Sequence, residues 1–168
     1  MSDQSPSPII RPATVDDVPL ILEMIRGLAE YEKLLHEVVA DEATLRRHLF
    51  GETPRAEVIF LCESDEAGSE AGLALFFHNF STFLGQPGIY LEDLFVKPEK
   101  RGKGYGQLLL AHLAKLAIER DCARLDWAVP DWNEPAIRFY RRLGAKMMHD
   151  WRIFRLAGES LEALADQA

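Results

Sequence analysis

The sequence predicts a mixed α/β fold with a mostly antiparallel sheet flanked by helices, and three observations carry that prediction. Two apolar runs, 58–62 and 71–77, are joined by the polar turn 64–70 and form a hairpin pattern. A third run, 90–96, passes through a glycine-rich turn into a helical pattern that leads to a fourth run at 124–129. A strand-helix-strand passage of this kind implies a parallel crossover, right-handed by the usual rule. The remaining patterns place helices before and after these strands, in the order β-α-α-β-β-β-α-β-α-β-β, with a short helix at the end.

Each element has a local reason. Ile9-Ile10-Arg11 reads as a short first strand, and Thr14-x-x-Asp17 resembles a capping box with Asp in place of Glu. Val18, Ile21, Leu22, Ile25 and Ala29 then recur at helical spacing, carrying a helix to about Glu30. Asp41 is placed to cap a second helix that ends near Gly51 and Pro54. Gly85, Pro87 and Gly88 make 81–88 a loop before the central strand. After it, Leu108, Leu109, Leu113, Leu116 and Ala117 mark an amphipathic helix of about four turns. Pro130 ends the next strand, Asn133 or Glu134 caps a helix with Pro135 in its first turn, and Gly144 is placed to stop it. Residues 145–148 and 151–156 read as two final strands, and 159–165 as a C-terminal helix.

Composition bounds the function. The 168 residues and 48% hydrophobic content suit one folded domain covering 1–168, and no repeat, low-complexity run or linker divides it. A formal charge of -8 argues against a general nucleic-acid binder and is compatible with a cationic small molecule. Cys62 and Cys122 have no spacing for a metal or a disulfide framework, and His36, His48, His78, His112 and His149 lie far apart, so no metal site is expected. The polar, proline-containing start, residues 1–8, has no secretory core, and no 18-residue apolar span occurs. Both point to a soluble, cytoplasmic protein.

The chemistry concentrates in Tyr90-Leu91-Glu92-Asp93-Leu94-Phe95-Val96-Lys97-Pro98-Glu99-Lys100-Arg101-Gly102-Lys103-Gly104-Tyr105-Gly106-Gln107. Glycines at alternate positions let backbone amides approach a ligand closely and converge on it. A helix N-terminus adds unpaired N–H groups and a positive dipole end. Lys97, Lys100, Arg101 and Lys103 reverse the local charge of an acidic chain, which points to a phosphate or diphosphate. Neither a P-loop nor the dinucleotide glycine spacing is present. Arg101-x-x-Gly104-x-Gly106 after an acidic-apolar strand instead resembles the pyrophosphate turn of the GNAT N-acetyltransferase superfamily.

Further motifs follow in order: Arg11-Pro12-Ala13-Thr14, Leu28-Ala29-x-Tyr31-Glu32, Tyr90-Leu91-Glu92-Asp93-x-Phe95-Val96 and Trp132-Asn133-Glu134-Pro135-x-Ile137-x-Phe139-Tyr140. Together they resemble the diamine (spermidine/spermine) N-acetyltransferase branch and its thialysine-acetylating relatives, from about Ile9 to Leu164. The resemblance implies a sheet splayed between two central parallel strands, a homodimer, and acetyl-coenzyme A as co-substrate. It places the backbone of 94–96 (Leu94, Phe95, Val96) on the pantetheine arm. The diphosphate falls on Arg101, Gly102, Lys103, Gly104, Tyr105, Gly106 and Gln107, and the cofactor's amide region near Asn133. Tyr31, Glu32, Glu92 and Asp93 match positions lining the acceptor site.

The reaction implied is acetyl transfer to a primary amine. The amine must lose a proton before it attacks, and Glu92, directly or through a water, is the candidate base. A backbone N–H near Leu94 would stabilise the thioester oxygen, and Tyr140, at the family's general-acid position, would return a proton to the leaving thiolate. On a regular strand Glu92 and Asp93 face opposite sides, so both can reach substrate only across a bulge, which the resemblance implies. The chain departs from the family after Gly144. A shorter segment, with Asp150 ahead of Trp151-Arg152, replaces a longer acidic one, which favours a short diamine or a lysine-like acceptor as a competitor to a long polyamine. A peptide or protein amine, and a silent coenzyme A-binding sensor, are the alternatives. Retention of Glu92 and Tyr140 weighs against the sensor.

Overall fold

The computed structural model describes residues 7–168, so most of the polar start discussed above lies outside the described residues. Packing gathers the chain into two compact units, one ending at Ala128 and one running Val129–Ala168.

The first unit is built on a five-stranded sheet in the order β1 (Ile9–Pro12), β2 (Glu57–Cys62), β3 (Glu70–Ser81), β4 (Gln86–Val96), β5 (Leu125–Trp127). The first four strands pair antiparallel and β4–β5 is parallel, as the strand-helix-strand pattern predicts. The hairpin arms outrun the sequence pattern. Ser81 pairs with Gln86, so the expected loop at 81–88 shrinks to a tight turn, and Pro87 is accommodated opposite Phe80 near the strand end.

Helix α1 (Val18–Tyr31) starts where the capping pattern puts it, with the Thr14 amide donating to Asp17 Oδ2 at 2.7 Å, after one 3-10 turn. Helix α2 (Glu42–Phe50) is capped by Asp41, whose Oδ1 accepts from the Thr44 amide at 2.7 Å. The apolar stripe of α1 buries Ile21 and Met24 with Val58, Phe60, Leu73 and Phe95. Helix α3 (Tyr105–Glu119) covers the opposite face. A Cβ at Gly72, one residue out of phase with Leu73, would lie 3.3 Å from Leu109 of α3. Gly27 has a packing reason of its own, since a Cβ there would sit 2.8 Å from the Phe95 ring.

The second unit holds α4 (Glu134–Arg142) and α5 (Glu159–Ala165). Asn133 caps α4 by accepting from the Ala136 amide, and Gly144, at φ 88, follows its end. The two final strands expected at 145–148 and 151–156 do not form. A strand needs a ladder partner to satisfy its backbone, and no strand lies within this unit. Trp151, Ile153 and Phe154, which gave the strand pattern, are exposed.

One ionic knot ties the sheet edge to α1. Arg11 of β1 donates to both oxygens of Asp17 at 2.8 Å and to Glu70 of β3 at 2.7 Å, with its guanidinium carbon 4.9 Å from the Phe60 ring centroid. The hydrogen bond from Arg11 is the main reason the Asp17 carboxyl is held down to about 2. The folded state therefore releases the Asp17 proton more readily than the unfolded chain. Its contribution, about 1 kcal/mol once solvent screening is allowed for, is present above pH 4 and lost as pH falls towards 2. Asp17→Asn is expected to lower Tm at pH 7 by several degrees, and urea titrations should show the difference from the native chain shrinking as pH drops below 4.

Candidate active site

The site in the first unit is organised by β4. Leu91 pairs with Phe76 and Asp93 with Leu75, so Glu92 is an extra residue with no partner on β3, a β-bulge at the position where one was expected. Glu92 is exposed and Asp93 is largely withdrawn from solvent. Beyond the bulge the Lys97 amide donates to Ala71 O on β3 at 2.9 Å. By alternation, the backbone groups of Val96 and Leu94 turn to the other side of β4. There β5 offers no ladder, because the parallel pairing stops at Leu91–Trp127 while β4 continues to Val96. The sheet thus opens along Leu94 and Val96, the edge assigned from sequence to the pantetheine arm. Phe95 differs from its neighbours: its side chain is buried in the α1-facing core and its backbone turns to the β3 side, where it pairs with Leu73, so it does not join the open edge.

The turn that follows has the geometry its glycines suggest. Gly102 and Gly104 adopt φ 79 and 80, conformations that an L side chain resists, and the space a Cβ would fill at each is open. Gly104 is the N-cap of α3, and Tyr105, Gly106 and Gln107 form its first turn. Successive amides therefore line an open concavity at a helix N-terminus, which fits a diphosphate. Arg101 does not lean over this concavity. Its Nε donates to Val96 O at 3.0 Å, and its guanidinium carbon lies 4.8 Å from the Tyr31 ring centroid and 5.9 Å from that of Phe95. Tyr31, assigned from sequence to the acceptor, thus joins the end of α1 to the turn. Glu63, just past β2, holds two of the lysines and a tyrosine: it accepts from Lys100, from Lys103 at 2.8 Å and from the Tyr105 hydroxyl at 2.8 Å.

On the α1 side of the bulge lies a pocket of about 160 Å³ lined by Ile25, Leu28, Ala29, Leu34 and Val38 together with Glu32, Glu37 and Asp93. Glu32 and Asp93 were expected from sequence; Glu37 was not. It arrives because α1 ends on Lys33 in the left-handed region, at φ 62, with the Leu34 amide donating to Ala29 O at 2.7 Å. The chain folds back into a 3-10 turn, Leu35–Glu37, beside Glu32. No glycine announces that reversal, so the sequence carries little signal for Glu37. Burial, then Glu92 and Glu32, push the Asp93 carboxyl up to about 6, and burial raises Glu32. Apolar walls with carboxylates at unfavourable potential suit a ligand that brings positive charge on a short aliphatic chain.

In the second unit, Tyr140 of α4 packs against the Phe139 ring at 5.3 Å between centroids, Asn133 is buried at the helix cap, and Asp150 is exposed in a turn. Among the described residues no group of three His, Cys, Asp or Glu could hold a metal ion, and no helix is long and apolar enough to cross a membrane.

Residues 25–145 match the model of the acetyltransferase (GNAT) family. The chain belongs to that family. It is therefore an acyl-transferring enzyme, and the family's acyl donor is acetyl-coenzyme A. The chain is 39% identical to a thialysine N-epsilon-acetyltransferase of Bos taurus, over 94% of this chain and 96% of the relative. It is 34% identical to an L-ornithine N5-acetyltransferase of Arabidopsis thaliana, over 92% and 86%. Among solved structures, an integron cassette protein from the mobile metagenome of V. cholerae superposes with a TM-score of 0.78 at 29% identity, covering 95% of this chain and 98% of that one.

Asp93 supplies a test that needs no substrate. With its pKa raised in the folded state, the unfolded chain releases the proton first as pH rises, so ionising Asp93 costs stability between pH 4 and 6 and above, on the order of 2 kcal/mol at neutral pH. Asp93→Asn in this acetyltransferase is expected to raise Tm at pH 7 and to leave it nearly unchanged at pH 4, read by calorimetry at both values.

Proposed function

We propose that this enzyme acetylates the primary amine of a short cationic acceptor, of the thialysine, ornithine, lysine or small-diamine type, within a single N-acetyltransferase domain formed by the whole chain. The observation that carries the acceptor class is the small pocket with Glu32, Glu37 and Asp93 on apolar walls. Its carboxylates and apolar walls lie close together on one small stretch of surface, which suits a short aliphatic cation. The amine substrates named for the two relatives, and the shortened segment before Trp151, support the same choice. The family match crosses the boundary at Ala128, which supports the single domain.

In this reading the acceptor's ammonium is drawn to the carboxylates of Glu32, Glu92 and Asp93, and the bulge lets neighbours in sequence serve one ligand. Glu92, directly or through a water, takes the proton from the ammonium. The freed nitrogen attacks the thioester carbonyl, a C–N bond forms, the C–S bond breaks, and the nitrogen sheds its second proton to solvent, which in turn restores the proton Tyr140 gives to sulfur. An amide near Leu94 on the open edge of β4 receives the negative charge that develops on oxygen. Tyr140 returns a proton to the departing thiolate, and Asn133 and Asp150 bind the cofactor's amide region and the acceptor respectively. Acetyl-coenzyme A supplies the activated acetyl group, its diphosphate held by the turn 101–107 through the amides that follow Arg101. No metal enters. The reading also takes the enzyme to be a cytoplasmic homodimer.

The test is coenzyme A release with thialysine, ornithine, lysine, short diamines, spermidine and spermine. The short acceptors are expected to show the highest kcat/KM, and Tyr140→Phe to lower kcat by 10-fold to 100-fold with little change in either KM. Silence across the panel despite tight acetyl-coenzyme A binding would overturn the acceptor class.

A further inference from the structure

Glu63 has no place in the reaction described above, yet it is the most connected carboxylate next to the cofactor turn. It directly follows β2, and its own amide donates to Ser69 O at 3.0 Å, so it stands on the sheet rather than on the turn. One oxygen accepts from Lys100, and the other from Lys103 Nζ and from the Tyr105 hydroxyl. These partners are spaced in a telling way. Lys100 precedes Gly102, Lys103 lies between Gly102 and Gly104, and Tyr105 follows Gly104. Each positive-φ glycine is therefore bracketed by side chains tied to the same carboxylate.

Glycine has the most backbone freedom of any residue, and fixing a residue's backbone costs conformational entropy. An unrestrained turn with two such glycines would have to meet that cost when its ligand binds. Bracketing them from the end of β2 moves the cost into folding, which is how preorganisation raises affinity. The ties also hold the Glu63 carboxyl down to about 2, so it stays ionised throughout the physiological range.

We infer that Glu63 is a positioning residue for the cofactor: it holds the glycine turn in its anion-binding shape before acetyl-coenzyme A arrives, although its own charge opposes the diphosphate. The inference rests on the assignment of the diphosphate to residues 101–107. It has a clear rival, in which Glu63 is only a counter-charge that occupies the lysines and must be displaced. The two differ in sign. Removing a positioning group weakens cofactor binding, whereas removing a competitor strengthens it. Tyr105→Phe separates them further, because it cuts one tie without changing charge.

The experiment measures KM and kcat for acetyl-coenzyme A, with the acceptor saturating, for the native enzyme, Glu63→Gln, Tyr105→Phe and Gly104→Val. Coenzyme A Kd by calorimetry and thermal melts accompany the kinetics. Glu63→Gln is expected to raise KM and Kd about tenfold and Tyr105→Phe about threefold, with kcat at saturation and the acceptor KM within twofold of native. Gly104→Val is expected to lose cofactor binding while still folding, and Gly102→Val serves if it does not fold. Tighter binding by Glu63→Gln, or native constants in both Glu63→Gln and Tyr105→Phe alongside lost binding in the glycine variant, would overturn the positioning role alone. Native binding by a folded glycine variant would overturn the diphosphate assignment, and the positioning role with it.

Discussion

Two hydrogen-bonded strands of different length leave a backbone edge exposed, and the site in the first unit depends on that constraint. β4 pairs with β3 along its whole length but with β5 only from Ile89 to Leu91. Past that point its outward amides and carbonyls face no ladder, which is the condition under which a strand can bind an extended ligand by its main chain. Everything chemical on this strand lies at or beyond the point of divergence: Glu92 and Asp93 at the bulge, Leu94 and Val96 on the open edge, the glycine turn at its end. The bulge and the divergence are neighbours, as expected if the extra residue bends β4 away from its parallel partner.

The charge distribution follows the same strand. Carboxylates from Glu32, Glu37 and Asp93 gather on the α1 side of the bulge, and the basic turn starts four residues after Asp93, about 13 Å along at strand rise. A single short segment thus presents a negative pocket and a positive concavity to ligands of opposite sign. Tyr31 links the two: it closes α1 next to Glu32 and carries the Arg101 guanidinium on its ring. The cost of the acidic pocket is visible in Asp93, whose ionisation is opposed by burial and by its neighbours. Local instability of this kind is what a site for a cation should show while no cation neutralises it.

Comparison with the GNAT family fixes the reaction type. Phe95 shows how one strand divides its labour: its ring fills the core under Gly27 while the backbone of its neighbours faces the open edge. A side chain at Gly27 would force that ring to move, so the glycine in the middle of α1 protects the strand that carries the site.

The sequence by itself determined the order of the elements as far as the helix after Pro130, the caps at Thr14 and Asp41, the glycine turn and its basic character. These are local: a cap, a period or a turn is set by residues a few positions apart, and the family motifs are of the same kind. Only the tertiary structure decided what depends on distant partners. Glu63 meets Lys103 across 40 positions, Arg101 finds Tyr31 at the end of a different element, and Glu37 joins the pocket through a left-handed Lys33 that composition does not flag. The same reason explains the failure at 145–156, where an apolar pattern suggested strands. Pattern supplies the tendency to extend, but a strand is a relation between two chains of hydrogen-bonding groups, and whether the second is there is settled only in three dimensions.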